Sequence, residues 1–177
     1  MLRVAIIGAG PSGMMAALEA SKGIGRGIKS VTLFEHEARI GRKLAVTGAG
    51  RCNLSNDGVS ASVYHGAELA WTEQLLECFS VEDLERVLYR LGIPIFKTDD
   101  GWYYPLSQSA ASVVSILEER LLGQGVSMRV ATYVRNVSYQ KDHGFELTYK
   151  DCNSGKSHVE LFDRLIVATG GKSYPEL

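Results

Sequence analysis

The sequence predicts an α/β fold with a central parallel sheet, and three observations lead to this prediction. An apolar strand, Leu2 to Ile7, runs directly into the glycine motif Gly8-x-Gly10-x-x-Gly13. A helix of mostly small residues, Met14 to Ala20, leads to a second strand, Val31 to Phe34. A third strand, Leu165 to Ala168, is fully apolar and ends at a small-residue turn. Strands that alternate with helices build parallel sheets, and the third strand is expected in the middle of that sheet.

The glycine motif and an acid, Glu35, predict a dinucleotide-binding site. Gly8 makes a tight turn, Gly10 lets the backbone approach a pyrophosphate, and Gly13 lets the helix pack closely on the strand. The pyrophosphate lies on free amides at the positive end of the helix. Glu35 follows Gly13 by 22 residues and is placed to bind ribose hydroxyls, while its charge repels a 2′-phosphate. The predicted nucleotide is therefore of the FAD or NAD type; a plain glycine-rich turn is the alternative.

Composition excludes several other classes of function. The 177 residues carry a net charge of −1 with scattered basic residues, so neither nucleic acid nor an anionic membrane is an expected partner. The apolar start is short and interrupted by glycines, which indicates a buried strand rather than a signal peptide and predicts a cytoplasmic protein. Three cysteines without a CxxC spacing and four dispersed histidines predict neither a disulfide framework nor a metal site, although convergence in space stays open.

A glycine- and cation-rich stretch, Gly41 to Asn53, cannot be a buried strand throughout. We predict a loop with a short helical turn. Its glycines and its three cations Arg42, Lys43 and Arg51 suit the phosphates and the ring edge of a bound dinucleotide. A solvated basic loop is the alternative.

Regular elements are predicted through the rest of the chain. The predicted helices are two within Ala67 to Leu91, with Ser80 as an N-cap between them and apolar residues in the core, and one over Ala110 to Leu122. A hairpin joins Ile93–Phe96 to Trp102–Tyr104 across a turn. A small antiparallel β-meander is predicted from four extended runs: Ser127–Val130, Tyr133–Tyr139, Phe145–Lys150 and Val159–Phe162.

Several motifs together resemble one family. They are the glycine motif, Glu35, Gly41-Arg-Lys-Leu44, Thr47-Gly-Ala-Gly-Arg-Cys-Asn53, Tyr104-Pro-x-Ser107 and Ala168-Thr-Gly-Gly-x-Ser-Tyr-Pro175. The chain is similar over its whole length to the BaiN/YhiN-like flavoproteins, which are NAD(P)/FAD-dependent oxidoreductases. This resemblance implies a Rossmann-like FAD-binding domain over residues 1–177, and it raises FAD above NAD as the bound nucleotide.

The resemblance also implies a role for individual residues. It implies contacts to the pyrophosphate for Gly8, Gly10, Ser12 and Gly13, and a contact to the adenosine ribose for Glu35. Positions along the cofactor are implied for Arg42, Lys43 and Leu44, and positions near the flavin for Arg51 and Asn53. Val134 is expected to contact the adenine through its backbone, and the strand end at Ala168, Thr169 and Gly170 is expected beside the first strand. Cys52 is expected to be a small residue that fits against the cofactor rather than a redox thiol. No catalytic residue is identified, since the flavin carries the hydride.

Activity follows from the same resemblance. Hydride transfer through FAD to or from a small organic substrate, an enone or an amine, is implied, with NAD(P)H as electron donor. An NAD-binding dehydrogenase and a non-catalytic nucleotide-binding or interaction module are the alternatives.

Proteins of the resembled family continue past Ser173-Tyr174-Pro175 into a substrate-side domain and a final strand that covers Leu165 to Ala168. The 177 residues are therefore expected to be an N-terminal portion, truncated before that strand. An unpaired apolar edge is then expected, together with weakly held flavin and either self-association or pairing with a separate C-terminal half.

Overall fold

The computed structural model describes residues 1–65 and 68–171, so the Ser173-Tyr174-Pro175 motif lies outside the described residues. Two compact units are present: Met1–Leu44 with the described chain from Leu117 onward, and Ala45–Ile116. The elements in chain order are β1 (Leu2–Ile7), α1 (Pro11–Ser21), β2 (Ile28–Phe34), α2 (Arg42–Val46), a 3-10 helix (Thr47–Gly50), β3 (Ser55–Asn56), a second 3-10 helix (Ala61–Val63), α3 (Leu69–Cys78), α4 (Val81–Leu91), β4 (Ile95–Lys97), β5 (Trp102–Pro105), α5 (Ala110–Gly123), β6 (Ser127–Arg129), β7 (Thr132–Gln140), β8 (Gly144–Asp151), β9 (Ser157–Phe162) and β10 (Arg164–Val167).

The first unit contains the predicted parallel sheet, with strand order β10-β1-β2-β6. Val4 of β1 lies opposite Val31 of β2 and opposite Arg164 of β10, and all three strands run parallel. The centres of β1 and β2 are buried because their apolar side chains are covered on both faces of the sheet. Helix α1 contributes buried Met14 and Leu18 to this core.

A β-meander, β7-β8-β9, contributes to the same core as the parallel sheet. Phe34 of β2 lies 5.1 Å from the ring of Tyr149 and 5.8 Å from the ring of Phe162, measured between centroids. The buried cluster joins strands of both sheets and comprises Ala5, Phe34, Leu147, Tyr149 and Phe162. These contacts hold the meander on the sheet that carries the glycine motif.

An ionic cluster also ties the meander to the parallel sheet. Glu160 of β9 pairs with Arg3 of β1 and, at 2.7 Å, with Arg129 of β6. The Tyr149 hydroxyl donates to Glu160 Oε2 at 3.0 Å, and burial raises the pKa of Tyr149. A carboxylate shared by two guanidinium groups therefore joins three strands that are distant in sequence.

Two predictions about strands are wrong in position. Ser127–Val130 was expected in the meander, but β6 pairs in parallel with β2 through Thr32 and Ser127. Helix α5 precedes β6 and acts as a crossover, and Ala131 turns the chain at φ 48° before β7 begins. Strand β10 pairs with β1 as predicted. It lies at the edge of the described sheet, with Val167 65% exposed, so the middle position expected from its apolar run is wrong, whereas the unpaired edge expected from the family resemblance is observed.

The second unit contains a small antiparallel sheet together with α3 and α4. The predicted hairpin forms β4 and β5, and the two-residue strand β3 adds a third strand that is too short to leave a pattern in the sequence. Helix α4 begins with a complete capping box between Ser80 and Asp83 and ends at Gly92, whose φ is 89°. The N-cap at Ser80 was predicted from the sequence.

Helix α3 turns inward only one of the four residues predicted to line it. Leu76 is partly buried, whereas Leu75 and Phe79 are about half exposed and Ala70 is exposed. Thr72, four residues before Leu76 and on the same face of the helix, is buried. The helix itself was predicted, but the face that it turns toward the core was predicted wrongly, because a polar residue, Thr72, lies at the centre of that face.

The described residues contain no helix long and apolar enough to cross a membrane.

Candidate nucleotide-binding site

Two of the three motif glycines are required by the packing of the turn itself. Gly8 has a φ of 98°, and its amide donates to Phe34 O at 2.8 Å. A Cβ atom at Gly8 would lie 2.4 Å from Ala168 O, and one at Gly13 would lie 1.8 Å from Gly8 O. No side chain fits at either position without a backbone shift, as the sequence predicted for Gly13.

Gly10 differs from these two glycines because nothing in the described part of the chain requires a glycine there. Its φ of −75° and ψ of −175° are open to any residue, and a Cβ atom at Gly10 would meet no described atom within 4 Å. It is the N-cap of α1, directly before Pro11 and the first amides of the helix, which have no partner within the helix. The space beside Gly10 and these amides fits a pyrophosphate.

Glu35 is fixed against the glycine loop. Its Oε2 accepts from Ala9 N at 2.8 Å, its Oε1 accepts from Glu37 N at 3.0 Å, and its side chain is 12% exposed. The backbone of Glu35 also donates to Arg129 O and accepts from Thr132 N. The structure therefore brings the predicted ribose acceptor and the predicted pyrophosphate loop together through a direct hydrogen bond.

A charged group follows Glu35 and was not predicted. Glu37 Oε1 lies 2.7 Å from Arg42 Nη1 and 3.0 Å from His36 Nε2, while His36 Nδ1 lies 3.0 Å from Glu35 Oε1. The guanidinium of Arg42, predicted to follow the cofactor, thus forms an ion pair with Glu37. The alternation of acid, imidazole and acid at residues 35–37 was the available signal in the sequence.

The segment after β10 lies at the same loop. Ala168 N donates to Ile7 O at 2.8 Å, and the Cβ of Ala168 lies 3.4 Å from the position of a Cβ on Gly13. Lys43 Nζ donates to Gly171 O at 3.1 Å, just beyond Thr169 and Gly170. Leu44 is buried, and Ser12 is exposed in the first turn of α1. The position of Ala168 agrees with the prediction that the end of the third strand lies beside the first strand.

Val134 lies on β7, two residues after a backbone contact to Glu35. It follows Thr132, whose amide donates to Glu35 O at 2.8 Å, and it pairs with Tyr149 on β8. The register shifts between Val134 and Asn136, so the regular ladder of β7 is interrupted there. Arg135 is the residue without a register partner there, whereas Val134 is paired, and the adenine contact of the Val134 backbone stays a prediction.

Arg51 and Asn53 belong to the second unit, where a strained loop holds them. Arg51 stacks on Tyr104 at 4.7 Å from the guanidinium carbon to the ring centroid. Ala49 and Cys52 have positive φ values of 54° and 66°, which non-glycine residues rarely adopt. Among buried side-chain polar atoms of the described residues, Asn53 Oδ1 lacks a hydrogen-bond partner. Such an atom is costly unless a donor reaches it, and a bound ligand is one source of that donor.

Cys52 is fully buried, and burial raises the pKa of its thiol against a smaller opposing effect from Thr47. A thiol with a raised pKa is a poor nucleophile, which favours the predicted packing role over a redox role. Within the described ranges, no three His, Cys, Asp or Glu side chains are arranged to hold a metal ion.

Two curated relatives match nearly the whole chain. A 3-dehydro-bile acid delta(4,6)-reductase of Clostridium scindens is 34% identical over 179 residues, covering 100% of this chain and 41% of the relative. A ribosomal RNA dihydrouridine synthase of Haemophilus influenzae is 29% identical and covers 97% of this chain and 41% of the relative. The chain therefore spans about two fifths of the length of these relatives.

A solved structure and a family model complete the comparison. The crystal structure of Thermovibrio ammonificans THI4 matches with a TM-score of 0.63 at 17% identity, covering 96% of this chain and 57% of that one, which shows a shared fold. The model of the HI0933-like protein Rossmann domain matches residues 2–177. The family resemblance predicted from the motifs is thereby confirmed, and the chain belongs to the HI0933-like Rossmann domain family.

Proposed function

We propose that this chain is the cofactor-binding part of a flavin-dependent oxidoreductase, with FAD as its nucleotide. The observation that carries the proposal is the free space beside Gly10, at the first amides of α1, with Glu35 hydrogen-bonded to the next residue of the same loop. Among the described residues, the middle glycine of the motif packs against no atom that would exclude a side chain. A ligand that approaches the backbone at Gly10 accounts for it.

The residues of this site bind and orient. Amides of Ser12 and Gly13 donate to the pyrophosphate at the positive end of α1, and the Glu35 carboxylate accepts from ribose hydroxyls. Its negative charge disfavours a 2′-phosphate, which separates FAD and NAD from NADP at this site. When bound, FAD supplies hydride transfer, and the protein supplies orientation and electrostatics. NAD(P)H is the proposed electron donor.

The names of the two relatives support a substrate class. One is named as the reductase of an unsaturated bile acid, and the other forms dihydrouridine, in which a ring double bond next to a carbonyl is saturated. Both substrates present a carbon–carbon double bond conjugated with a carbonyl group. The net charge of −1 favours a small molecule of this class over RNA. An amine substrate is the alternative.

A complete active site is proposed to need more protein than these residues. The relatives are more than twice as long as the matched region, and the described chain offers no acid or base placed at a reacting centre. We therefore propose that the substrate side is contributed by a further segment or a separate partner chain.

Equilibrium binding tests the proposal. The purified chain is titrated with FAD, NAD⁺ and NADP⁺ by difference absorbance and tryptophan fluorescence. We expect saturable FAD binding, weaker NAD⁺ binding and no measurable NADP⁺ binding. Tighter binding of NAD⁺ than of FAD would favour the dehydrogenase alternative, and absence of binding by all three would refute a nucleotide site.

A further inference from the structure

One line of apolar side chains along α3 is exposed to solvent. Trp71, Leu75 and the C-cap residue Phe79 are 56%, 48% and 49% exposed, and they follow one another at intervals of four residues, so they share one side of the helix. We call these three residues the α3 patch. Val63, on the 3-10 helix that contacts α3, is 57% exposed. Isolated exposed apolar residues are ordinary, but an aligned group with two aromatic rings is typical of a surface that binds another protein.

The same helix carries a line of acids. Glu73 and Glu77 are exposed and four residues apart, and Glu68 is the N-cap residue. Among the described residues, no Lys or Arg side chain forms an ion pair with any of these three carboxylates. A helix with its side chains is only about 10 to 12 Å wide, so the glutamate charges act on a partner bound at the α3 patch, most strongly at low ionic strength.

The acidic character extends beyond α3. Residues 52–85 contain seven Asp and Glu residues and no Lys or Arg, although the whole chain has a net charge of −1. All 19 Lys and Arg residues lie outside this stretch, together with 13 of the 20 acids. The α3 patch therefore lies in a strongly acidic part of a chain that is nearly neutral as a whole.

This charge restricts what the α3 patch can bind. A second copy that docked α3 on α3 would bring like charges together. Nucleic acid and anionic lipid surfaces carry the same sign of charge as the glutamates, so they are repelled as well. A favourable partner combines apolar side chains for the patch with Lys and Arg side chains for the acids.

We propose that the α3 patch binds an amphipathic helix of a partner protein, in which Lys and Arg side chains flank an apolar face. Apolar anchors that repeat every turn match the i, i+4 spacing of such a helix, and its basic residues complement Glu73 and Glu77. None of the residues predicted to bind the nucleotide takes part, so this inference stands apart from the proposed function.

Two designed peptides serve as probes. Each forms a helix of about five turns with the same leucine face, and the polar face carries lysine in one peptide and glutamate in the other. Binding is followed by the emission of Trp71 in a chain with Trp102→Phe, which leaves a single tryptophan. We expect the lysine peptide to bind at least about tenfold more tightly than the glutamate peptide, and to lose about tenfold in affinity between about 0.05 M and 0.5 M salt.

Matched variants test whether the α3 patch is the binding surface. Leu75→Ser should weaken binding of the lysine peptide by about tenfold or more, whereas Leu122→Ser, at a leucine that is 59% exposed on α5, should leave it unchanged. Glu73→Gln combined with Glu77→Gln should lower the affinity and most of its salt dependence. These side chains lie at the surface, so thermal unfolding and FAD affinity should stay close to wild type.

Several results would overturn the inference. They are absence of lysine-peptide binding by the wild-type chain, equal binding by wild type and Leu75→Ser, and equal binding of the two peptides. Binding to phosphatidylglycerol vesicles that is lost in Leu75→Ser would assign the α3 patch to a membrane surface instead. Self-association that persists in Val167→Lys and disappears in Leu75→Ser would assign it to a second copy of this chain.

Discussion

Gly10 and Gly13 stand three residues apart, yet a side chain affects them in opposite ways. Gly10→Val places its side chain in open space at an extended backbone position, so it should lower the free energy of unfolding by less than about 1 kcal/mol. The same side chain blocks the pyrophosphate, and FAD affinity should fall by more than about 100-fold. Denaturant unfolding and FAD titration of one preparation measure both quantities.

The matched control is Gly13→Val. Its Cβ would lie 1.8 Å from Gly8 O, so the loop and α1 must separate and stability should fall by about 3 kcal/mol or more. A Gly10→Val protein that unfolds as readily as Gly13→Val, or that binds FAD normally, would show that the space beside Gly10 is not a ligand site.

Replacing Glu35 by Gln should affect both affinity and stability. The carboxylate accepts from Ala9 N and from Glu37 N with different oxygens, and a glutamine has one acceptor oxygen, so one of these amides loses its partner. We expect a stability loss of about 1 kcal/mol and an affinity loss of about 1 to 3 kcal/mol. Calorimetry gives both. A loss of stability with unchanged FAD affinity would argue against the ribose role.

At the scale of single residues, prediction from the sequence succeeded where a residue type in its local context has few possible structural roles. A glycine triplet between a strand and a helix has few interpretations, and an acid that closes the next strand meets it by topology. The charged group of His36, Glu37 and Arg42 was missed because its contacts depend on how the chain folds back after β2. No periodicity in the sequence encodes that turn. The unpartnered Oδ1 of Asn53 is equally invisible without coordinates.

Helix α4 offers a test at the scale of a single element. The Ser80 hydroxyl accepts from Asp83 N, and the Asp83 carboxylate accepts from Ser80 N, which satisfies two amides at the helix start. Ser80→Ala should lower the free energy of unfolding by about 1 kcal/mol. Thermal unfolding measures this loss, and Ser80→Asp, which keeps an acceptor, should recover most of it. Equal losses in both variants would mean that the cap contributes nothing.

The same capping box predicts a response to acid. The hydrogen bond from the Ser80 backbone, aided by the Ser80 hydroxyl and Arg86, holds the pKa of Asp83 below its ordinary value of 3.8. A lowered pKa in the folded state stabilises the protein fully above the ordinary value, and this stabilisation is lost as pH falls through the folded-state pKa. Asp83→Asn should therefore flatten the stability curve below pH 4. A curve identical to wild type would exclude Asp83 as a contributor.

Elements were predictable when their pattern was local. The capping box, the hairpin and α5 all appear where the sequence indicates them. The location of β6 depends on whether a strand after a crossover helix joins β2 or the meander, and a three-residue strand carries too little pattern to decide this. The inward face of α3 was wrong for a related reason: a buried threonine does not distinguish itself from an exposed one in sequence.

At the scale of the whole molecule, β10 leaves an unpaired edge in the described sheet. Ile166 is 38% exposed and Val167 is 65% exposed, and exposed apolar edges pair with other chains. We expect the 177-residue chain to associate with increasing concentration, and Val167→Lys to shift it toward monomer without loss of fold. Gel filtration with light scattering over a 50-fold dilution measures this. A wild-type monomer at every concentration would contradict the expectation.

The parallel sheet, the meander and the family could all be derived from the sequence, because motif order and apolar runs define the arrangement of β1, β2 and β10. The division into two units could not, since the glycine-rich stretch at one boundary was interpreted as a nucleotide-binding loop and the other boundary lies inside α5. The substrate also lies beyond such reasoning. The role that we propose for the described residues is to bind and orient the cofactor, and this role does not distinguish one substrate from another.

The three glycines of the motif are subject to two different kinds of constraint, which would respond differently to further evolution. Gly8 and Gly13 are required by the chain's own backbone, whereas no described residue requires a glycine at position 10, and we propose that a bound nucleotide does. A descendant that no longer used a nucleotide would be free to change Gly10 and would still need the other two. Substitution of Gly10 in a related chain that keeps Gly8 and Gly13 would therefore indicate that the fold is retained but the nucleotide is no longer bound.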